Sequence, residues 1–353
     1  MLNKETREKK LSMIQKSQKR IGYVDLYRGI GIILMIMAHI GFGSLFDYYI
    51  HAFHMPMFFF VSGFFYKSDS PDKFFKQKIK TLIIPYVFYT FIIYIGWKVI
   101  CGNPDDSLII IFLYMNSTPF VAAALWFLTA LFIANVIYWL IQTLFNSDIY
   151  ISIVAFLIAL CGNIIQYFFA KPSIFAFDAG LVGVGIMHLG FLCRNRRTRV
   201  IEKIMNLNWN EIIIAFVLLS ALIFINSKVN MREGKYGIIP LFWINSAGMC
   251  IILWNTARKL IETWNKNNLK NRAIDYLYSV IMNIGRRSLV FLCLNQVMIV
   301  VAFRYFPIEV SSNSVTILIH NIVMLFLVLV ALYLIAILRE IVLKKISNII
   351  NLL

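Results

Sequence analysis

Charged residues are scarce in this 353-residue chain, at 14%, and acidic ones scarcer still, with 17 Asp and Glu against 34 Lys and Arg. Soluble domains run to about 25% charged and about 45–50% apolar residues. Here 60% are hydrophobic and the mean hydropathy is +0.76, which excludes an ordinary water-soluble globule. Cysteine offers little more. The five, Cys101, Cys161, Cys193, Cys250 and Cys293, stand singly in or beside apolar runs with no CxxC pair. They read as small buried apolar residues rather than disulfides or metal ligands, and no metal is expected. Internal repeats and low-complexity tracts are missing, and no loop is long enough for a separate soluble domain. One membrane domain is the economical reading.

A net charge of +17 is high enough to suggest nucleic acid, but its placement argues against that partner. Lys and Arg gather in short segments between apolar runs, the pattern of cytoplasmic loops. The first twenty residues hold Lys4, Arg7, Lys9, Lys10, Lys16, Lys19 and Arg20. They are too polar for the apolar core of a signal peptide and lack a small-residue cleavage site, so residues 1–20 are expected to form a retained basic cytoplasmic tail.

A helix crossing about 30 Å of hydrocarbon needs about 20 apolar residues. Cut to that length, the sequence predicts an all-α polytopic membrane protein of about ten spans. These fall near 23–42, 50–66, 81–100, 121–142, 149–170, 174–193, 211–226, 237–256, 288–306 and 315–338. The apolar segment from Leu108 to Met115 is too short to cross and is expected to be interfacial or re-entrant, with Pro119 beyond it. On this cut 27 of the 34 basic residues fall on the side of the N-terminus, which places both termini in the cytoplasm, 341–353 included. The loop 142–148 carries no basic residue and is the weakest point of that orientation.

Against this background the stretch from Tyr23 to Lys67 is unusual. It holds Asp25, Arg28, His39, His51 and His54, three of them among the chain's five histidines. Asp or Arg at the centre of a membrane helix costs about 2.5–3.5 kcal/mol on insertion scales, so such residues usually mark function. Arg28 and His39 are eleven positions apart, about 20° of net rotation and about 16 Å of rise on an ideal helix. They share one stripe. Asp25, three residues before Arg28, lies within ion-pair reach of it. Arg28 is then either a snorkelling anchor or a binding group, and His39 either an interhelical hydrogen-bond partner or a general base or proton carrier. His54 precedes Met55-Pro56 and has a structural reading beside the chemical one. His51, His188 and His320 read as isolated or boundary residues. Phe58-Phe59-Phe60 reads as packing. Lys73, Lys76, Lys78 and Lys80, followed by Pro85, read either as positive-inside anchoring or as a docking surface for a polyanion.

At these residues the chain resembles acyltransferase family 3 of membrane proteins, most closely the subgroup resembling fucose 4-O-acetylases and polysaccharide O-acetyltransferases. The family's basic residue and histidine, ten positions between them, are met by Arg28 and His39 after DLYRG. HAFHMPMFFFVSGFFYK (51–67), ALWFLTALF (124–132) and IGRRSLVFLCLNQ (284–296) resemble three further segments, and the likeness covers residues 21–340. It departs at two places. Asn295-Gln296 stands where the family often has a histidine, and lysines replace paired arginines after the second span, with Thr81 near one expected position. Lysine keeps the charge and loses the bidentate fork.

The resemblance implies a bacterial-type plasma-membrane enzyme passing an acyl group, usually acetyl from acetyl-CoA, to a hydroxyl of a glycan or lipid-linked precursor. It implies His39 as general base or acyl-relay nucleophile, with His54 as second choice. It also implies Arg28 on the donor's phosphates or pantetheine arm, oriented by Asp25, and Lys76, Lys78 and Lys80 on its nucleotide end. Trp126 would wall an acyl tunnel or face lipid, and Arg286, Ser288 and Asn295 belong to the segment near the C-terminus. A transporter or flippase for a sugar or lipid-linked intermediate is the alternative, although the paired halves of many transporters are not visible. A non-catalytic membrane sensor is a third possibility. The acceptor, the acyl group among acetyl, succinyl and others, and the oligomeric state are open.

Overall fold

In hydrocarbon every backbone N–H and C=O must be satisfied within the protein, so apolar runs fold as helices. The computed structural model describes residues 22–101, 108–114, 124–168, 173–195, 198–266, 272–308 and 313–350. The expected cytoplasmic tail, Pro119, and the last three residues of the C-terminal end lie outside them. Among the described residues the protein is all-α, with one isolated β-bridge between Asn230 and Lys235. The helices are α1 (Gly22–Ile40), α2 (Ser44–His51), α3 (His54–Phe64), α4 (Pro71–Lys78), α5 (Ile84–Cys101), α6 (Leu108–Leu113), α7 (Trp126–Leu144), α8 (Asp148–Phe168), α9 (Phe177–Asn195), α10 (Arg199–Ile204), α11 (Trp209–Ile225), α12 (Ile239–Lys266), α13 (Arg272–Arg286), α14 (Ser288–Tyr305) and α15 (Ser314–Ile350).

Among the described residues, eight helical segments are long and apolar enough to cross a membrane. Two of the ten expected spans are shorter. The seventh is the 17-residue α11, and the second is the 11-residue α3 preceded by the separate α2. The break between α2 and α3 has a local cause. Pro56 has no N–H to return to the fourth carbonyl before it, and it sits in the first turn of α3, where that N–H is not needed. The Phe53 and Met57 amides close the corner on the Ile50 and Phe53 carbonyls at 3.2 and 3.0 Å. Pro85 has the same deficit, and before it the chain opens into a π-helical turn over Ile79–Ile83, a wider turn that absorbs the misfit. The segment near Leu108 is a short packed helix whose Phe112 carbonyl accepts a hydrogen bond from Tyr86.

The bundle is centred on α9, which packs against α3, α7 and α8. Small residues set that closeness. A Cβ on Gly63 would lie 1.8 Å from the Met187 carbonyl oxygen, and one on Gly190 would lie 2.1 Å from that of Phe60. Such contacts let backbones approach in a solvent that supplies no hydrophobic drive between helices. Trp254 of α12 fills the seam with α1 and α3, with edge contacts to Tyr23, Tyr27 and Phe60 at 5.3–5.6 Å. The result is a α1 held on several sides. It ends where Gly41 and Gly43 turn the chain at φ +94° and +114°, angles that side chains with a Cβ rarely adopt.

Candidate active site

The two ends of α1 carry different polar clusters. At the first, Asp25 is buried and its carboxylate accepts from Arg286 Nε at 3.0 Å. This ion pair joins residues 261 apart in sequence. It exists because α13 runs antiparallel along the start of α1, with Gly285 against the Asp25 carbonyl and Gly29 against that of Ile281; an added Cβ would come within 1.9 and 2.1 Å respectively. Arg28, half-buried, lies over the Phe65 ring at 6.0 Å. Ser288 opens α14 two residues past Arg286. The same end leads through Phe65 into the lysine segment. There Lys76 and Lys80 are exposed, while Lys78 is half-buried with its ammonium 5.8 Å from the Phe74 ring.

At the other end a cavity of about 220 Å³ opens beside His39. His39, His51, His54, Trp126 and Gln296 line it, together with Asp47 from α2 and Lys228 and Arg232 from the segment between α11 and α12. The volume is below the usual range of about 300–1,000 Å³ for drug-sized ligands, enough for one unit of a larger molecule. Trp126 is buried and faces this cavity.

Hydrogen bonds fix which nitrogen of each ring can act. Asn295, on α14, spends both amide hydrogens on the Phe291 and Leu292 carbonyls at 3.1 and 2.7 Å. Its oxygen therefore faces His39 Nδ1, 2.8 Å away, and can only accept. Nδ1 of His39 carries the hydrogen, and Nε2 is the nitrogen able to take a proton. His54 Nδ1 lies 2.9 Å from the Ile50 carbonyl, which can only accept, so the same tautomer follows. His51 Nδ1 is 2.7 Å from the Asp47 carbonyl and 3.1 Å from its carboxylate. Its ring stands edge-on to His54 with centroids 4.9 Å apart. Asp47 also meets Lys228 at 2.8 Å. The His51 hydrogen bond first, and then Lys228, hold the Asp47 carboxyl well below the ordinary carboxylate range against a partial burial that opposes them.

Of the residues singled out from sequence, His39, His54 and Trp126 meet at one cavity and Asn295 supports His39 from behind. Asp25, Arg28, Arg286 and Ser288 gather at the opposite end of α1, and the three lysines follow from that end. Among the cavity residues missed as site residues are the titratable Asp47, His51, Lys228 and Arg232. The sequence alone reads His51 as a boundary residue and the two cations as loop charge. The signal available was the clustering of Lys228, Arg232 and Lys235 in one short segment.

The described residues thus form an all-helical membrane bundle that presents oriented histidines in a cavity. The sequence model of acyltransferase family 3, described as an acyltransferase domain, matches residues 21–339. The chain belongs to this family and is a multi-pass membrane acyltransferase. No curated protein and no solved structure matches it.

Proposed function

We propose that the protein transfers a short acyl group, acetyl in the simplest case, from a cytosolic acyl-CoA to a hydroxyl of a cell-surface glycan or its lipid-linked precursor. The observation that carries this reading is the oriented His39. It is pinned at Nδ1 by an amide whose own hydrogens are spent, and it sits on a cavity at the far end of the helix that begins with Asp25 and Arg28. Both termini and the lysine segment lie on the cytoplasmic side in this reading, with the cavity toward the outer face of a bacterial-type plasma membrane.

A sugar hydroxyl is a poor nucleophile at neutral pH. His39 Nε2 accepts its proton as the oxygen attacks the acyl carbonyl; the C–S bond then breaks, and the proton passes to the thiolate leaving group. His54 shares the proton traffic, and Trp126 shields the acyl group from water. Arg28, Lys76, Lys78 and Lys80 hold the donor's phosphates, with lysines acting as point charges rather than forks. Asp25 acts through its pair with Arg286, fixing the start of α1 beside Arg28.

The test uses purified full-length protein in lipid nanodiscs with [acetyl-¹⁴C]acetyl-CoA and total lipid-linked saccharides from the producing cell. Acetyl-CoA is expected to raise the melting temperature, and label is expected to move to the saccharide fraction. No thermal shift and no transfer would overturn the assignment.

A further inference from the structure

Two consecutive polar residues of α14, Asn295 and Gln296, stand deep in the bundle, and the hold on His39 uses only the first. Consecutive residues on an α-helix point about 100° apart. Asn295 reaches His39, and Gln296, 3% exposed, falls on the lining of the same cavity.

The two side chains meet opposite conditions. Asn295 has its oxygen against His39 and both amide hydrogens on backbone carbonyls. The carboxamide oxygen of Gln296 is buried and meets no donor in the protein, and among the described residues no other residue lining the cavity carries such an atom. A buried acceptor left unpaired costs the desolvation of the group, and buried polar atoms in folded proteins are overwhelmingly paired. A methionine or leucine would fill the same place without that cost. An amide oxygen can only accept, so the group that completes it is a donor brought in by a ligand. Lys228 and Arg232 on the same lining disfavour a cationic donor, which favours a neutral one such as a hydroxyl. Trp126, Met35, Met55 and Ala124 supply an apolar wall beside it, the usual mixture in a site where a few polar groups fix a ligand's orientation.

Building on the transferase reading, we infer that Gln296 reads a second hydroxyl on the sugar unit that is acylated. Rotation about the last side-chain bond, a broad torsion, turns its oxygen to that hydroxyl, and the unit is held with its reacting hydroxyl toward His39. Gln296 is then a specificity-determining residue that leaves the reacting atoms alone. Units in which the second hydroxyl is missing or already substituted leave the oxygen unpaired and are poor acceptors.

The experiment follows label from radiolabelled acetyl-CoA into total lipid-linked saccharides with the full chain in nanodiscs, comparing wild type with Gln296→Met and Gln296→Leu. Both variants remove the accepting oxygen and keep an apolar side chain in its place. Transfer at low saccharide concentration is expected to fall about fivefold or more, the worth of one hydrogen bond. The loss should be carried by the apparent KM for saccharide, with the KM for acetyl-CoA and its thermal shift held. The melting temperature is expected to stay level or rise, because an unpaired buried polar group has gone. An unchanged KM for saccharide in either variant would overturn the inference. So would a lower melting temperature in both variants, which would make the carboxamide a structural group. Neither transfer nor a thermal shift with the wild-type chain would instead overturn the transferase reading, and the inference with it.

Discussion

The two ends of α1 both carry polar residues, Asp25 and Arg28 at one and His39 at the other, and differ in what surrounds them. At the Asp25 end, charge is neutralised by an ion pair and sealed by backbone contacts too close to admit a methyl group at Gly29 or Gly285. At the His39 end, the ring is held at Nδ1 by the Asn295 side-chain oxygen 2.8 Å away, and it lines a cavity. The first arrangement fixes a helix in place; the second sets an imidazole at a cavity wall. A polar residue in a membrane helix is thus not sufficient to mark a catalytic group, and the packing around it decides.

Substitutions at each end sharpen this contrast. The largest effect is expected at the open end: His39→Ala should lower kcat by about 10³-fold, within the range for a general base, with the melting temperature nearly unchanged. Asn295→Ala should lower kcat by about 10- to 100-fold, since a lost orienting partner leaves the base in mixed tautomers. The KM for donor should hold. At the sealed end, Gly285→Ala should act on folding instead. Its Cβ would fall 1.9 Å from the Asp25 carbonyl oxygen, and overpacking of this kind costs about 1–3 kcal/mol, read as a lower melting temperature. A Gly285→Ala protein as stable as wild type would show that the helices are not held as close as described.

The smallest effect concerns the mouth of the cavity. The pKa of Asp47 is depressed in the folded protein, chiefly by His51 and then by Lys228. A depressed carboxylate stabilises the fold above its unfolded pKa of about 4 and loses that contribution as the pH falls. The pair with Lys228 is largely exposed, so Asp47→Asn should cost about 1 kcal/mol or less at pH 7. Below about pH 4 the difference between variant and wild type should shrink, as followed by thermal melts. A difference that grows with acid would contradict the ion pairs.

Much of the fold was legible in sequence because hydrocarbon leaves few choices. Runs of apolar residues become helices, and their lengths locate them within a few residues. The break just before His54 was not legible, because periodicity carries no account of where a proline falls within a turn; the helix beginning at His54 lies within the expected span 50–66 and takes Pro56 in its first turn. The Arg28–His39 interval showed a stripe, yet it did not reveal that the stripe's two ends have different surroundings. The pairs Asp25–Arg286 and His39–Asn295 span 261 and 256 positions, and no local pattern connects them. The replacement of a family histidine by Asn295 was visible as a departure, whereas its meaning came from three distances around one amide. Lys228 and Arg232 were visible as charge, and only the fold turns them toward the histidines.

The central claim is that donor binding and chemistry reside at opposite ends of α1, and one comparison addresses it. Acetyl-CoA affinity and kcat are measured side by side for Arg28→Gln and His39→Ala in nanodiscs. Arg28→Gln is expected to weaken donor binding about tenfold, the value of one charged contact, with kcat within about twofold of wild type. His39→Ala is expected to keep the affinity and lose the turnover. Retained turnover in His39→Ala, or an equal loss of affinity in both variants, would contradict the account.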